Sequence, residues 1–301
     1  MKYLVFALIV LNAASAYCGG SGEMKLVNEK EIGVDSVNNI EILYRAEKIS
    51  LLKSNTNSLI IKEYMNKDNI DYYANIINSG DTLTIKRGTR PHFGVFNARV
   101  EVYVPAHFIR DITVRTSSGE ITASDAFTFS RVILHTSSGG ISVNTLTAET
   151  ADIQTASGSI RFDSIEGDVV AKTSSGSING ETVNGNVLAK STSGNIKINR
   201  LTKGIEMETT SGSIYCSAVE IVENISLQST SGRIELRIPQ HSIFNFSTRT
   251  SSGNLSTPFP EKLFMPVSER GLVQGIIGEG TPNNNINIRT TSGSMIVKWG
   301  S

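Results

Sequence analysis

The chain has 301 residues, of which 39% are hydrophobic and 19% charged, a length that allows one large domain or two ordinary ones. Lys plus Arg and Asp plus Glu each number 28, so the formal net charge is zero. This balance argues against a nucleic-acid-binding protein, which carries a basic excess or a basic face. Short alternating apolar stretches take the place of long helical runs, which indicates an all-β protein.

The first residues are typical of an export signal. Lys2 precedes the apolar stretch YLVFALIVL, which is too short to cross a bilayer, and residues 14–16 have the small-x-small pattern of a signal-peptidase site. Residues 1–16 are therefore predicted to be a signal peptide, removed before Tyr17. The mature protein is expected in the cell envelope, either in the periplasm or at the cell surface.

The cysteine at position 18 supports a second interpretation. Cys18 and the Gly-Gly-Ser-Gly that follows resemble the lipidated cysteine and flexible tether of a bacterial lipoprotein. In that case the signal peptide extends to residue 17, and the lipid is the only expected contact with a membrane. Tyr17 and Ser15 depart from the lipoprotein pattern, so ordinary cleavage stays open, with Cys18 inside a tether of residues 17–27. The other cysteine, Cys216, is predicted to lie in the core, and two cysteines are too few for a disulfide framework or a zinc site.

Residues 28–105 lack the repeat described next but are rich in strand patterns, such as NIEILY, SLIIKEY and RVEVYVP. The segment is predicted to be a strand-rich N-terminal cap or a set of degenerate repeats. A cap is expected because a stack of strands leaves an open edge that would otherwise pair with other chains.

A short phrase, Thr/Ser-x-Ser-Gly-x-aliphatic, occurs nine times after residue 106. Eight copies follow one another at intervals of 18–21 residues, and the ninth comes 40 residues after the eighth, as if one repeat had lost its signature. A fixed period of this length is typical of a solenoid and is too short for the four-stranded blade of a β-propeller. The central Ser-Gly pairs are Ser118 and Gly119, Ser138 and Gly139, Ser157 and Gly158, Ser175 and Gly176, Ser193 and Gly194, Ser211 and Gly212, Ser231 and Gly232, Ser252 and Gly253, and Ser292 and Gly293.

Apolar residues alternate with polar ones on both sides of each Ser-Gly pair, but with opposite parity. Alternation at period two indicates a strand with one buried face. The change of parity predicts a corner at Ser-Gly, where glycine tolerates a positive φ or a close backbone approach. The Thr or Ser three residues before each glycine is predicted to point inward, in a ladder of hydroxyls. The predicted core column, two residues after each glycine, is Ile121, Ile141, Ile160, Ile178, Ile196, Ile214, Ile234, Leu255 and Met295.

One repeat cannot bury its own apolar face, so the repeats must stack in parallel, about 4.8 Å apart. The predicted fold is an all-β, parallel β-helix-like solenoid over residues 106–301, with rungs of 18–21 residues. Residues 256–280, which contain three prolines, are predicted to form an atypical rung or a surface loop before the last copy.

These motifs resemble a bacterial family of exported β-strand-repeat proteins described as “putative adhesins”, whose function is unknown. The matching features are the V-x-V-P strand at residues 102–105, the T-x-S-G-x-I units from 116 to 255, and the G-x-G at 278–280 before the closing unit at 290–295. The resemblance implies export, a β-solenoid and a role at the cell surface or in the envelope. It implies no enzyme activity and no functional residues, because the matching positions are structural.

Residues that could carry chemistry are scattered. The four histidines have no metal-ligand spacing and are expected at the surface, and a serine that recurs nine times indicates a corner rather than a nucleophile. Four acids on two neighbouring turns would suit a glycan-active enzyme, but a solvated acidic edge is the simpler interpretation. The histidines are His92, His107, His135 and His241. The acids are Asp163, Glu166, Asp168 and Glu181.

The sequence thus predicts a non-catalytic exported protein, an adhesin or scaffold whose long Ser/Thr/Asn-rich faces bind glycans or envelope proteins through weak, repeated contacts. One alternative is an envelope-stress regulatory protein that binds a signalling partner. The other is a glycan-active enzyme, which needs a groove with two carboxylates about 5–10 Å apart. No cofactor, metal or nucleic acid is predicted as a ligand.

Overall fold

The computed structural model describes residues 23–91, 95–259, 264–265 and 271–300. These residues contain 24 β-strands, a single 3-10 turn at Ile70–Tyr72 and no α-helix. No helix in this part of the chain is long and apolar enough to cross a membrane. The predicted signal peptide and Cys18 lie outside the described residues.

The strands before the repeat are β1 (Lys25–Gly33), β2 (Asn39–Leu43), β3 (Lys48–Ser54), β4 (Ser58–Met65), β5 (Asn75–Ser79), β6 (Thr82–Lys86) and β7 (Ala98–Pro105). The repeat begins with β8 (Asp111–Arg115), β9 (Ile121–His135), β10 (Ile141–Gln154), β11 (Ile160–Thr173), β12 (Ile178–Asn184), β13 (Val187–Ser191), β14 (Ile196–Leu201), β15 (Ile205–Thr209) and β16 (Ile214–Ala218). It ends with β17 (Ile225–Ser229), β18 (Ile234–Ile238), β19 (Phe244–Thr250), β20 (Leu255–Ser256), β21 (Phe264–Met265), β22 (Leu272–Ile277), β23 (Asn285–Thr290) and β24 (Met295–Trp299).

Each rung consists of a strand before the Ser-Gly corner and a strand after it. The strands before the corner pair in parallel and form ladder A, and those after it form ladder B. The register places like residues together, so that Ile160 lies opposite Ile178 and Ile178 opposite Ile196. The long strands β9, β10 and β11 run from ladder B of one rung into ladder A of the next. The prediction of an all-β, parallel solenoid is confirmed.

The core lies between the two ladders as one continuous cluster. Of the nine aliphatic residues two positions after the corner glycines, eight are at most 2% exposed, whereas Leu255, at the end of the stack, is half-buried. At one place in the core, a large side chain of one rung compensates for a missing side chain in the next. The ring of Phe162 fills the space where Gly180 of the next rung has no side chain.

Residues 28–105 contribute two rungs that stack out of chain order. The strands β2 and β3 pair in parallel with β8 and β9, so Ile40 lies opposite Ile112 and Ile49 opposite Ile121. The strands β6 and β7 pair with the other edges of β2 and β3. Antiparallel strands then cover the end: β5 lies on β6, β4 on β7 and β1 on β4. Since β1 begins at Lys25, the last residues of the predicted tether belong to this cap.

The C-terminal end is built in the same way. The strands β23 and β24 of the ninth copy pair with β17 and β18 on one side and with β19 and β20 on the other. The ninth copy therefore lies between the seventh and the eighth, and the 40-residue interval does not contain a lost rung. Residues 256–280 are not an extra rung either, because β22 pairs antiparallel with β19 and covers the edge of ladder A.

Candidate functional site

The corner is held by a ladder in which hydroxyls alternate with peptide groups. The Thr155 hydroxyl accepts a hydrogen bond from the Gly158 N–H at 3.1 Å and donates one to the Gly139 carbonyl of the preceding rung at 2.9 Å. The same pair of bonds recurs at the corners from Thr136 to Ser229. The predicted inward hydroxyls thus bridge successive rungs through the glycine backbone rather than bonding to one another.

The corner glycines are needed for space and not for φ. None of the nine has a positive φ, which corrects the expectation that a left-handed conformation was one reason for glycine. A Cβ at Gly139 would overlap the carbonyl oxygen of Gly119 in the preceding rung, and each of the other eight would meet a backbone carbonyl in the same way. Successive corners therefore stack backbone on backbone, which only glycine permits.

The serine before each of these glycines is exposed, so nine hydroxyls form a row along one edge of the stack. The backbone holds this row in place: the N–H groups of Ala156 and Ser157 both donate to the Ser137 carbonyl, at 3.0 and 2.9 Å. In the part of the chain that the structure describes, no histidine bonds to any of these serine hydroxyls, so the row lacks the base that a serine nucleophile needs.

A shallow groove of about 720 Å³ lies beside this row over six rungs, from Arg115 to Glu208. One side is formed by the residues two positions before the corner glycines, which include Ser137, Ser174 and Thr192. The other side is formed by six of the outward residues that lie four positions before the glycines, and we call the full set of nine the basic column. In spatial order the basic column is Arg115, His135, Gln154, Lys172, Lys190, Glu208, Gln228, Arg289 and Arg249.

Near one end of the groove, an acid joins two members of the basic column. The Nε2 atom of His135 lies 3.1 Å from Oδ2 of Asp152, and the Gln154 amide donates to Oδ1 of Asp152 at 2.7 Å. Burial acts to raise the pKa of Asp152, but the hydrogen bonds from His135 and Gln154 outweigh it, and the pKa is lowered. Asp152 is therefore a bound anion that neighbouring side chains already satisfy.

The other cations of the groove differ in their partners. Lys190 lies 2.9 Å from Glu206 and 3.1 Å from Glu208, and its hydrogen bonds to these two carboxylates raise its pKa. Arg115 and Lys172 have no carboxylate within 4.0 Å among the described residues. These two side chains are the cations that the groove leaves available to a ligand.

Three of the four predicted acids make contacts between rungs. Glu166, Asp168 and Glu181 accept hydrogen bonds from the asparagine at the equivalent position one rung later. Asp163 and Glu181 also line a cavity of about 260 Å³ beside Lys197, on the outer face of ladder B. Over the described ranges, no group of three His, Cys, Asp or Glu side chains is placed to hold a metal ion.

The histidines do not gather at one site. His107 lies 3.6 Å from Asp35, His241 is exposed in a turn with a φ of 62°, and His92 falls outside the described residues. His135 points outward, but only 24% of its side chain is exposed, so it is less solvated than the sequence suggested. Cys216 is buried, and burial raises the pKa of its thiol to about 12.

Glu47 is a site that the sequence did not reveal. It stands in the rung before Gly119, at the position of the corner glycine, and its side chain is 4% exposed. The carboxylate accepts the two corner N–H groups, of Arg45 at 3.0 Å and of Ala46 at 2.9 Å, and the Arg90 guanidinium at 2.7 Å. Burial would raise the pKa of Glu47, but these hydrogen bonds and the charge of Arg90 lower it. The carboxylate therefore replaces the carbonyl that a further regular corner would supply.

The family model for Toastrack DUF4097 matches residues 37–298. The chain belongs to the Toastrack DUF4097 family. The Toastrack match begins before β2 and ends in β24, so it includes both sets of rungs that stack out of chain order. It confirms the resemblance to a family of repeat proteins. Among curated proteins, no sequence matches this chain.

Several solved structures are similar to this Toastrack protein. One, from Bacteroides fragilis and described as a “putative adhesin”, is 13% identical over 90% of this chain and 96% of that chain, with a TM-score of 0.47. Another, a “putative adhesin” from Parabacteroides distasonis, is 11% identical over 92% and 98%, with a TM-score of 0.43. A further protein from Parabacteroides distasonis, described as a “putative lipid binding protein”, is 13% identical over 93% and 98%, with a TM-score of 0.38.

Proposed function

We propose that this Toastrack protein is a non-catalytic binding or scaffold protein of the cell envelope or cell surface, whose ligand is a glycan or an envelope protein. The observation that carries the proposal is the groove beside the basic column. The groove presents a long side chain that can form hydrogen bonds at each of six rungs, opposite exposed hydroxyls of Ser137, Ser174 and Thr192. Such an array suits many weak contacts with a repetitive ligand.

The groove is a poor place for catalysis. A glycosidase of the common kind needs two carboxylates on either side of the bond that breaks. Among the residues that line the groove only Glu208 is an acid, and its carboxylate lies 3.1 Å from the Lys190 ammonium. Elsewhere, Asp163 and Glu181 share a cavity, but the Glu181 carboxylate is bonded to Asn199.

The proposed location rests on the first residues of the sequence. The apolar segment and the small residues at 14–16 support export, and Cys18 supports a lipid anchor. The mass of the mature protein from its native host distinguishes the two routes. Ordinary cleavage gives an unmodified chain that starts at Tyr17, whereas lipidation gives a chain that starts at Cys18 and carries the added mass of acyl groups.

The experiment that tests the binding role is a screen of the folded mature protein against polysaccharides and peptidoglycan fragments, with a parallel pull-down from envelope extracts. We expect saturable binding to a glycan without its breakdown. Capture of a membrane sensor instead would favour the regulatory alternative. The absence of any glycan or protein ligand would contradict the proposal.

Breakdown of a bound glycan would also contradict the proposal, and one variant would locate the activity. Asp163→Asn combined with Glu181→Gln removes both carboxylates that face the smaller cavity on ladder B. Loss of breakdown in that variant would assign an enzyme active site there. The matched control is Glu206→Gln with Glu208→Gln, which removes two carboxylates from the groove region.

A further inference from the structure

We propose that the ligand of the groove is a linear acidic polysaccharide that lies parallel to the axis of the stack. This inference rests on the proposed binding function and adds the chemical class of the ligand. Three features of the groove support it: where its positive charge lies, how that charge is spaced, and what lies between and beside the charges.

Positive charge is concentrated on one line of the surface. The basic column contains five Lys or Arg residues and one Glu, in a chain whose formal net charge is zero, and Arg115, Lys172 and Lys190 are the three of these cations that line the groove. The outward column two residues earlier on the same strands holds neutral residues such as Ile133, Val170 and Leu188, and two acids, Asp152 and Glu206, that lie against groove side chains. Because these acids already have partners, the cations without a carboxylate partner attract a ligand that carries its negative charges along a line.

The available cations are widely spaced. Arg115 and Lys172 are separated by the strands that carry His135 and Gln154, which places them about 14 Å apart at the usual strand spacing. A polyphosphate or a nucleic acid carries a charge on every unit and would be matched by a cation on every strand. The spacing instead suits a polymer in which charged units are separated by neutral units.

The positions between the cations favour sugars as those neutral units. Gln154 has an amide that both donates and accepts, and exposed hydroxyls such as Ser137 and Ser174 line the opposite side of the groove. Hydroxyls and amides of this kind pair with sugar hydroxyls, which also donate and accept. The residues that line the groove recur at the strand spacing of about 4.8 Å. This distance is similar to the length that one sugar adds to an extended polysaccharide.

The acids of the groove do not oppose an anionic ligand strongly. Asp152 accepts a hydrogen bond from Gln154 and lies 3.1 Å from the Nε2 atom of His135, and the carboxylates of Glu206 and Glu208 both lie against Lys190. The backbone of the groove is also rigid, because each corner is bonded to the one before it. A preformed site loses little conformational entropy when a ligand binds.

The test is a binding measurement on the mature protein with three polymers: hyaluronate, in which charged and neutral sugars alternate, its fully methyl-esterified form and inorganic polyphosphate. The esterified form has the same sugar chain without the charge. We expect saturable binding of hyaluronate that weakens as salt is added, because salt screens exposed charges. The esterified polymer should bind more weakly, and polyphosphate should bind no more tightly than hyaluronate.

A pair of variants locates the site. Arg115→Gln with Lys172→Gln removes the two available cations, and affinity for hyaluronate should fall about tenfold, as expected for the loss of two exposed ion pairs. The matched control is Arg161→Gln with Lys197→Gln, which removes two cations from the outer face of ladder B and should leave binding unchanged. Thermal unfolding of both variants shows that each is folded.

Any result other than these contradicts the inference. Equal binding of the esterified polymer, or an equal loss in the control variant, would reject this ligand or this groove but leave the proposed binding function standing. Tighter binding of polyphosphate would replace the polysaccharide with a polymer of closely spaced charge. If none of the three polymers binds, the inference fails, and the envelope pull-down then decides the proposed function independently.

Discussion

At the scale of single residues, the corner controls how closely two rungs stack. Its glycine removes the one atom that would separate successive backbones, and its inward hydroxyl satisfies two peptide groups that would otherwise be buried without partners. The aliphatic column beside it supplies the apolar burial. The repeated phrase is therefore a set of packing and hydrogen-bonding requirements that apply once per rung.

Two adjacent glycines test the packing requirement. Gly139→Ala places a Cβ against the backbone of Gly119, which cannot move freely, and should lower the free energy of unfolding by about 1–3 kcal/mol. At Gly140 the nearest atom to an added Cβ is the Ser159 carbonyl oxygen at 3.4 Å, so Gly140→Ala should cause no loss. Urea unfolding measures the free energy of unfolding of both variants. If Gly139→Ala were as stable as Gly140→Ala, the packing explanation would be wrong.

The hydroxyl ladder makes a second prediction. Thr155→Val keeps the shape of the side chain but leaves the Gly158 N–H and the Gly139 carbonyl with one bond fewer, and should cost about 1–3 kcal/mol of unfolding free energy. The control is Thr192→Val, at an exposed position where the structure, over the residues it describes, gives the hydroxyl no bond. A loss in Thr192→Val as large as in Thr155→Val would show that the ladder is not the cause.

At the scale of elements, the rung of β2 and β3 shows how the corner ladder ends. Within the described residues no regular Ser-Gly corner precedes this rung, and the Glu47 carboxylate accepts the two corner N–H groups in its place. Arg90, which follows β6, neutralises the carboxylate. A buried carboxylate with these partners is stable only while both its charge and its hydrogen bonds are present.

The lowered pKa of Glu47 predicts a pH dependence. A carboxyl group whose folded pKa lies below its unfolded value adds stability above the unfolded value and loses it as the pH falls through the folded pKa. Glu47→Gln should therefore reduce the unfolding free energy at neutral pH by about 3–5 kcal/mol, and the difference from the wild type should shrink in acid. Denaturant unfolding at several pH values measures this difference in unfolding free energy, and Glu31→Gln, at an exposed position, is the control. A difference that stays constant with pH would contradict the role of the charge.

At the scale of the whole molecule, each end of the stack is closed in the same way. The chain adds a rung out of order and then covers an exposed edge with antiparallel strands. At the C-terminal end, Phe259 packs against Phe246 and Trp299, each with a ring-centroid distance of 5.2 Å, and closes the core. Among the described strands each rung pairs with its neighbouring rungs, so we expect stability to vary along the stack.

Phe259→Ala tests this view of the C-terminal end. The cavity should destabilise the last rungs by about 3–5 kcal/mol and remove hydrogen-exchange protection from β19, β22, β23 and β24. Protection of β9, β10 and β11 should stay close to that of the wild type. Phe162→Ala, at a buried position in the middle of the stack, is the control that should weaken rungs on both sides. A uniform loss of protection in Phe259→Ala would show that the stack unfolds as one unit.

The class of fold, the strands, the corner and the parallel stacking could be predicted from the sequence, because these follow from a local alternation and a fixed period that places like residues on neighbouring strands. The sequence also contained the basic column, at a constant four residues before each glycine, although only the register shows that these residues form one line. Tertiary structure alone decided the position of the ninth copy, the two rungs before residue 106 and the role of Glu47. These depend on which open edge a distant segment covers, and no local pattern encodes that choice. The reason for the corner glycine was decided in the same way, because the carbonyl that excludes a side chain belongs to the preceding rung.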